Sequence, residues 1–215
     1  MMIILSIVFS SFFKFDVENF PLYVLSGQVI FNFFNDSTTS SMSAIISSAS
    51  LIKKVYVPKY LFVLSRVMSS FINLMASFTA LLLVMVATRA ELHWTVFLSV
   101  IPLAMVVLFS FGVGMFLAAI TVRFRDVIHL YSVFTTGLLY LTPVIYPMAA
   151  LPDVVKTIVM INPLTNYLLM FRDVMFNNTL PSVFSVLLGI AEAALALALG
   201  LYVFYKNQDE FILNL

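Results

Sequence analysis

Apolar residues occur along this chain in long blocks that are separated by short polar turns. A helix needs about 20 mostly apolar residues to cross a membrane. The blocks predict six membrane spans, at residues 1–13, 20–51, 60–87, 96–122, 127–148 and 182–205. The pattern therefore predicts an all-α integral membrane protein that crosses the membrane several times.

The first block is shorter than the other five. A helix over residues 1–13 is roughly 20 Å long, whereas the hydrocarbon core of a membrane is about 30 Å thick. We therefore expect a six-helix polytopic bundle in which the first helix is truncated. The whole chain, residues 1–215, is predicted to form a single transmembrane domain.

The connection between the fifth and sixth spans, residues 149–181, contains two shorter apolar runs. Pro152 and Asp153 are typical of a helix start, and Asn162-Pro163 is typical of a helix break. Each run is about 15–20 Å long at helical rise, which is too short to span. The pattern predicts a short re-entrant helix pair between the fifth and sixth helices. An interfacial amphipathic pair with no role in a pathway is the alternative.

The composition supports a membrane protein and narrows the chemistry. The chain is 62% hydrophobic and 10% charged, whereas soluble domains carry roughly 25% charged residues. It contains no Cys, and its two His residues, His93 and His129, are far apart. These features predict no disulfide, no thiol nucleophile and no metal site.

Motifs that support catalysis are absent from the sequence. It has no G-x-x-x-x-G-K-[ST] phosphate loop, no H-E-x-x-H and no G-x-S-x-G. Glu192 is the only acidic residue well inside a clearly apolar predicted span, and one carboxylate does not make an acid–base pair. We therefore predict that the chain is not an enzyme. Glu192 is interpreted as a carboxyl group hydrogen-bonded between helices, with a pathway-lining or ion-coupling role as the alternative.

Basic residues in the short loops predict the orientation, because they concentrate on the cytoplasmic side. Seven fall on one side of the predicted bundle: Lys53, Lys54, Lys59, Arg66, Arg123, Arg125 and Lys206. Four fall on the other side: Lys14, Arg89, Lys156 and Arg172. This difference predicts that both termini are cytoplasmic.

A hydroxyl-rich segment occupies the second half of the second span. Nine of the fourteen residues from 37 to 50 are Ser or Thr. On a helix they form two rows, one with Ser37, Ser40, Ser41 and Ser48, and one with Ser43, Ser47 and Ser50. Hydroxyl groups on more than one face indicate a helix surrounded by protein and water rather than lipid. Close packing against neighbouring helices is the alternative that remains open.

Four short motifs, in order and spacing, resemble a known family. They are LIKKVYVP at residues 51–58, VRFRD at 122–126, LTPVIY at 141–146, and NPLT at 162–165 followed by FRD at 171–173. Together they are similar to the signature of bacterial ABC-2 type permeases that export polysaccharides and polyol phosphates, including O-antigen, capsule and teichoic acid. Members of that family begin with a cytoplasmic segment and a full first span, from which this chain departs.

The resemblance implies a permease subunit of an ATP-driven exporter in the bacterial cytoplasmic (inner) membrane. The cargo would be a lipid-linked polysaccharide or a teichoic-acid-type polymer. It implies a homodimer of permease subunits, two separate ABC ATPase subunits, contact with membrane lipid and no nucleic-acid partner. ATP and Mg²⁺ would bind to the ATPase, so this chain would carry no cofactor. An ABC-2 permease for a small lipophilic drug or lipid, and a non-transport scaffold subunit, remain alternatives.

The resemblance also implies roles for particular residues. The candidates for coupling to the ATPase are Lys53, Lys54, Val55, Tyr56, Pro58, Lys59, Arg123, Arg125 and Asp126. The candidates for lining the channel, where aromatic faces and hydroxyl groups suit sugars, are Phe31, Phe34, Ser37, Ser41, Ser48, Tyr131, Tyr140 and Tyr146. The candidates for an outer gate are Asn162, Pro163 and Arg172. For the coupling lysines, the orientation rule alone is a sufficient alternative explanation.

Overall fold

The computed structural model describes residues 19–55, 57–90 and 93–211. Over these ranges the secondary structure is helical, with no strand. The predicted first span, residues 1–13, lies outside the described residues, and so does the coupling candidate Tyr56.

Eight α-helices follow one another in the described ranges. They are α1 Phe20–Ser47, α2 Ala49–Ile52, α3 Tyr60–Ala87, α4 Val100–Arg123, α5 Val127–Leu141, α6 Asp153–Ile161, α7 Pro163–Met175 and α8 Val183–Asn207. Three short 3₁₀ helices accompany them: Trp94–Ser99 before α4, Met148–Ala150 before α6, and Gln208–Glu210 after α8.

Three helical segments in the described ranges are long and apolar enough to cross a membrane: Tyr60–Ala87, Trp94–Arg123 and Val183–Glu210. They confirm the third, fourth and sixth predicted spans. The second predicted span is also helical, as α1, with a break at Ser48 before the short α2. Sixteen of the 28 residues of α1 are buried, which places this more polar helix in the interior of the bundle.

The fifth predicted span is shorter than expected. Helix α5 has 15 residues, about 22 Å of helix, and ends at Leu141 rather than continuing to residue 148. The cause is Pro143, because the residue before a proline is disfavoured in the helical conformation. Thr142 is accordingly extended, with φ −106° and ψ 130°. The chain then forms a non-helical turn, residues 142–146, which we call the outer turn after the side of the membrane on which the sequence predicts it.

The two short helices after the outer turn confirm the predicted bent pair. Helices α6 and α7 meet at an angle of 97°. Asn162 is extended between them, and Pro163 occupies the first turn of α7, where its missing N–H is not needed. Nine of the 13 residues of α7 are buried, whereas Val159 is the buried residue of α6. Helix α7 therefore lies inside the bundle, whereas α6 lies on the surface of the bundle.

The centre of the bundle depends on close contact between α4 and α8. A Cβ atom on Gly200 would lie 2.0 Å from the carbonyl oxygen of Gly112. A Cβ atom on Gly112 would lie 2.4 Å from the carbonyl carbon of Ala196. Small residues allow helix backbones to approach closely in membranes, and these two glycines allow α8 to cross directly over α4.

Candidate functional site: a buried arginine, a basic turn and a polar cleft

The outer turn is held by a buried arginine from α7. Arg172 is 4% exposed, and its guanidinium presents five N–H donors in a rigid plane. Its Nε donates to Ser26 Oγ (3.2 Å), and its Nη1 donates to the Pro143 carbonyl oxygen (2.7 Å). Its Nη2 donates to the carbonyl oxygens of Tyr23 (3.0 Å) and Val144 (3.1 Å). One side chain thus links α7, the start of α1 and the outer turn.

The charge of this arginine is compensated by dipoles and by an aromatic ring. The guanidinium carbon lies 3.5 Å from the centre of the Tyr23 ring, a cation–π geometry that is favourable when water is excluded. The Tyr23 hydroxyl donates to the Tyr146 carbonyl oxygen (3.2 Å). Gly27 provides the space, because a Cβ atom there would lie 2.9 Å from Arg172 Nη2 and 3.0 Å from Val144 Cα.

Asn162 ties the bend between α6 and α7 to the same turn. Its Oδ1 accepts from the backbone N–H of Leu164 (3.1 Å) and so caps the start of α7. Its Nδ2 donates to Thr142 Oγ1 (2.9 Å). The structure therefore brings the three predicted outer-gate residues, Asn162, Pro163 and Arg172, to one assembly around the outer turn.

The basic turn, residues 53–55 and 57–59, lies at the opposite end of α1. Tyr23 and Ser47 are separated by 24 helical residues, or about 36 Å along the axis. Lys53, Lys54 and Val55 are exposed, and no hydrogen bond of the Lys53 or Lys54 side chain occurs within the described residues. These side chains form an open basic and apolar edge next to a structured bundle.

Lys59 differs from the other lysines of the basic turn. Its Nζ donates to the carbonyl oxygen of Gln208 and lies 5.8 Å from the centre of the Phe211 ring. Phe211 is buried and packs on Phe204, with ring centres 5.2 Å apart. The ammonium group of Lys59 is therefore engaged by the C-terminal segment, and a coupling role for Lys59 stays a prediction.

The second candidate coupling turn lies at the same end. Val122, at the end of α4, and Ile52, before the basic turn, belong to one buried cluster. Arg123, Arg125 and Asp126 follow and are exposed. Within the described ranges, the predicted coupling residues therefore lie in two turns at the same end of the bundle. Most of them are exposed, whereas Lys59 is half-buried and contacts Gln208.

Most of the predicted channel-lining residues are buried within the chain. Five of the eight lie in its interior: Phe31, Phe34, Ser37, Ser41 and Tyr131. Phe34 stacks on Phe109, with ring centres 5.8 Å apart. The Ser37 and Ser41 hydroxyls donate to carbonyl oxygens of α1 itself. These contacts favour the close-packing explanation for the buried hydroxyl groups.

The other three channel candidates are more open. Ser48 is half-buried at the end of α1, and Tyr140 is 67% exposed. The half-buried Tyr146 donates its hydroxyl to the Tyr140 carbonyl oxygen (2.6 Å). Tyr131, by contrast, donates to Thr38 Oγ1 (2.7 Å) and joins α5 to α1. A channel-lining role for any of the eight stays a prediction.

A polar cleft between α1 and α3 was missed by the sequence analysis. It is a cavity of about 270 Å³, and its wall on α3 includes Arg66, Ser69 and Asn73. These positions recur at spacings of three and four, so they share one face of a helix. That spacing was the available signal, but it is hidden in a segment whose other residues are mostly apolar.

Glu192 lies where α8 meets α7. Asn166 Nδ2 donates to Glu192 Oε2 (3.4 Å) and to the Ser185 carbonyl oxygen (3.1 Å). The prediction that Glu192 is a carboxyl group hydrogen-bonded between helices is confirmed.

Apolar helices long enough to span and an inserted bent helix pair define a multi-pass membrane protein. The family model described as ABC-2 type transporter matches residues 1–176. The chain therefore belongs to the ABC-2 type transporter family, whose members are the membrane permeases of ABC transporters and are not themselves enzymes.

Curated relatives are similar over nearly the whole chain. Two O-antigen export system permease proteins RfbA from Klebsiella pneumoniae are each 25% identical over 206 residues, which is 95% of this chain and 79% of the relative. An O-antigen export system permease protein RfbA from Myxococcus xanthus is 24% identical over 212 residues, which is 98% of this chain and 82% of the relative.

Proposed function

We propose that this chain is the permease subunit of an ATP-driven exporter that moves a lipid-linked polysaccharide across the bacterial cytoplasmic membrane. The observation that carries the proposal is the similarity to O-antigen export permeases over 95–98% of the chain. The cargo class includes teichoic-acid-type polymers. The working assembly is a homodimer with two ABC ATPase subunits, which bind ATP and Mg²⁺.

The basic turn is the proposed contact with the ATPase. Lys53, Lys54 and Val55 offer positive charge and an apolar side chain on an exposed edge, a combination that suits an acidic cleft with an apolar floor. Lys59 fixes the neighbouring C-terminal segment and so stiffens the edge through which force would pass. With this turn on the cytoplasmic side, both termini are cytoplasmic too.

The outer turn and the α6–α7 pair are the proposed outer gate. Arg172 and Asn162 both connect α7 to residues 142–144 through hydrogen bonds. Because α7 is buried and α6 is exposed, movement of the pair would open or close the bundle at that end. The rigid guanidinium fork would make such movement concerted rather than gradual.

Helix α5 is the proposed face for the second permease subunit. It ends early, and Leu130, Val133, Phe134 and Tyr140 on its surface are all more than half exposed. A path between two copies would pass along this helix, which supports Tyr140 as a lining residue. The buried candidates, such as Phe34 and Ser41, would then shape the path indirectly by packing.

Co-expression of this chain with an ABC ATPase from the same organism tests the proposal. The host should be a strain that makes a lipid-linked O-antigen but lacks its own export permease. A stable complex of two plus two subunits and the return of glycan to the cell surface are expected. Export of a lipophilic dye without glycan export would favour the drug or lipid alternative. Failure to form any complex with the ATPase would contradict the proposal.

A further inference from the structure

The polar cleft between α1 and α3 is formed by side chains of both helices. Four residues from each helix line its volume of about 270 Å³, and every one of them is polar. On α1 they include Asn35, Asp36 and Thr39, and Thr39 shares a helix face with the other two because it follows them by four and three residues. Two polar helix faces thus oppose each other in a chain that is 62% hydrophobic.

The cleft differs from the rest of the surface of α3. Ile72, next to Asn73, is 69% exposed, and Leu83 and Val86 further along are also well exposed. Such apolar side chains suit contact with lipid tails. Amide, carboxylate and guanidinium groups in lipid are unfavourable unless water or a polar partner satisfies them. The cleft therefore requires a polar occupant.

The two charged groups of the cleft, Arg66 and Asp36, do not form an ion pair with each other. Arg66 Nη2 donates to Ser47 Oγ (3.2 Å), and no carboxylate lies within ion-pair distance of it among the described residues. Asp36 likewise has no hydrogen-bond or ion-pair partner among the residues that the structure describes. The cleft thus presents free donors on one wall and a free acceptor on the other.

This set of groups fits sugar hydroxyls better than phosphate. A hydroxyl group both donates and accepts, and so do the side-chain amides of Asn35 and Asn73 and the hydroxyls of Thr39 and Ser69. One Arg and one Asp give no net charge, so the cleft does not favour a multiply charged anion. Its volume is just below the roughly 300–1,000 Å³ of drug-sized sites, which suits one sugar ring.

We propose that the cleft between α1 and α3 binds one sugar unit of the exported glycan. The inference rests on the proposed function and adds a location and a ligand class to it. Arg66 and Asn73 lie 6 and 13 residues from the start of α3, about 9 and 20 Å from that end of the helix. The cleft thus occupies the half of the bundle nearest the basic turn, where a glycan made in the cytoplasm would enter.

Cysteine labelling tests this directly, because the chain contains no native Cys. Asn73→Cys places a thiol in the cleft, and the matched control Ile72→Cys places one on the neighbouring apolar face. The intact protein in lipid nanodiscs is treated with a charged, membrane-impermeant maleimide. Methyl glycosides of glucose, galactose, mannose and N-acetylglucosamine are the sugar probes, and glycine betaine at equal osmolarity is the control solute.

The expected result is fast labelling of Asn73→Cys, little labelling of Ile72→Cys, and protection of Asn73→Cys by at least one glycoside. A glycoside at about four times its dissociation constant should slow labelling roughly fivefold. The companion variant Thr39→Cys, on the opposite wall, should be protected by the same glycoside. Labelling that no glycoside slows would show a water-filled cleft without a sugar site and overturn the inference. Absence of labelling at both cleft positions would overturn it as well.

Failure here is distinguishable from failure of the proposed function. If the unmodified chain restores surface glycan but no glycoside protects the cleft, the sugar site alone is wrong. If glycosides protect the cleft but the chain restores no surface glycan in any host, the export proposal is wrong and the sugar site stands. Asp36→Leu, made in the Asn73→Cys background, should abolish protection while leaving labelling fast.

Discussion

The side-chain amide of Asn162 donates a 2.9 Å hydrogen bond to the hydroxyl of Thr142. The two residues belong to different sequence motifs, 20 positions apart, and their contact fastens the α6–α7 bend to the outer turn. Arg172 reaches the next two residues of that turn through the carbonyl oxygens of Pro143 and Val144. Because these contacts share one short segment, loss of one is expected to weaken the others.

Asn162→Ala is expected to destabilise the fold through two separate losses. Removal of the helix cap costs about 0.5–2 kcal/mol, and loss of the Thr142 contact costs roughly 0.5–1.5 kcal/mol more. A double-mutant cycle with Thr142→Val, followed by SDS unfolding, isolates the second amount. Thr157→Val on α6 is the control, since its hydroxyl bonds its own helix. Strict additivity of Asn162→Ala and Thr142→Val would refute the contact.

Arg172→Lys is expected to reduce export and thermal stability even though it keeps the charge. An ammonium group cannot satisfy four acceptors spread around a guanidinium plane, and each buried acceptor left unpaired costs about 1–3 kcal/mol. Arg89→Lys serves as the control because Arg89 is exposed. Melting temperature in detergent and surface glycan are the measurements. Normal export by both Arg172→Lys and Asn162→Ala would remove the outer-gate proposal.

Gly200→Ala is expected to disrupt the crossing of α4 and α8. Its Cβ atom would lie 2.0 Å from the Gly112 carbonyl oxygen, and overpacking of this kind costs about 1–3 kcal/mol. Gly137→Ala on α5 is the matched control, because a Cβ atom there has open space within 4 Å. Yield of folded protein by size-exclusion chromatography distinguishes them. Equal yields would show that α4 and α8 are less tightly packed than described.

The lysines of the basic turn are expected to separate into two groups. Lys53→Glu with Lys54→Glu should abolish co-purification of the ATPase while leaving the melting temperature unchanged, because both side chains are exposed. Lys59→Met should instead lower the melting temperature, since it releases Gln208 and Phe211. If charge reversal at Lys53 and Lys54 left ATPase binding and export intact, the coupling role of this turn would be wrong.

Glu192→Gln is expected to leave export unchanged, because a neutral amide oxygen still accepts the hydrogen bond from Asn166. Glu192→Leu removes that acceptor and should lower stability by roughly 0.5–1.5 kcal/mol. Surface glycan and melting temperature are measured for both variants. Loss of export in Glu192→Gln with an unchanged melting temperature would instead indicate a direct role of the carboxylate in transport.

The positions of the helices were predictable because their signals are local. Helix α3, from Tyr60 to Ala87, matches its predicted bounds, since one apolar block between polar turns suffices to define it. The bend at Asn162-Pro163 was predictable for the same reason, because proline restricts its own backbone and that of the preceding residue. The end of α5 carried the same kind of signal at Pro143 and was placed too late because the apolar block continues beyond it.

The site depended on contacts that no local pattern contains. Arg172 contacts Ser26 and Tyr23, 146 and 149 positions away along the chain, and Lys59 contacts Gln208, 149 positions away. Periodicity indicated that α1 has hydroxyl groups on several faces, but it did not indicate that Ser37 and Ser41 face the core while Asp36 faces the cleft. That choice is made by which neighbours pack against each face.

The sequence by itself thus determined the membrane class, the helix order and the family, because hydropathy, proline breaks and short motifs are properties of contiguous residues. The tertiary structure alone decided which lysine side chains are exposed, which groups stabilise the charge of the buried Arg172, and where two polar helix faces meet. Those outcomes are set by packing between helices that are distant in the chain, where a residue's partners rather than its type define its role.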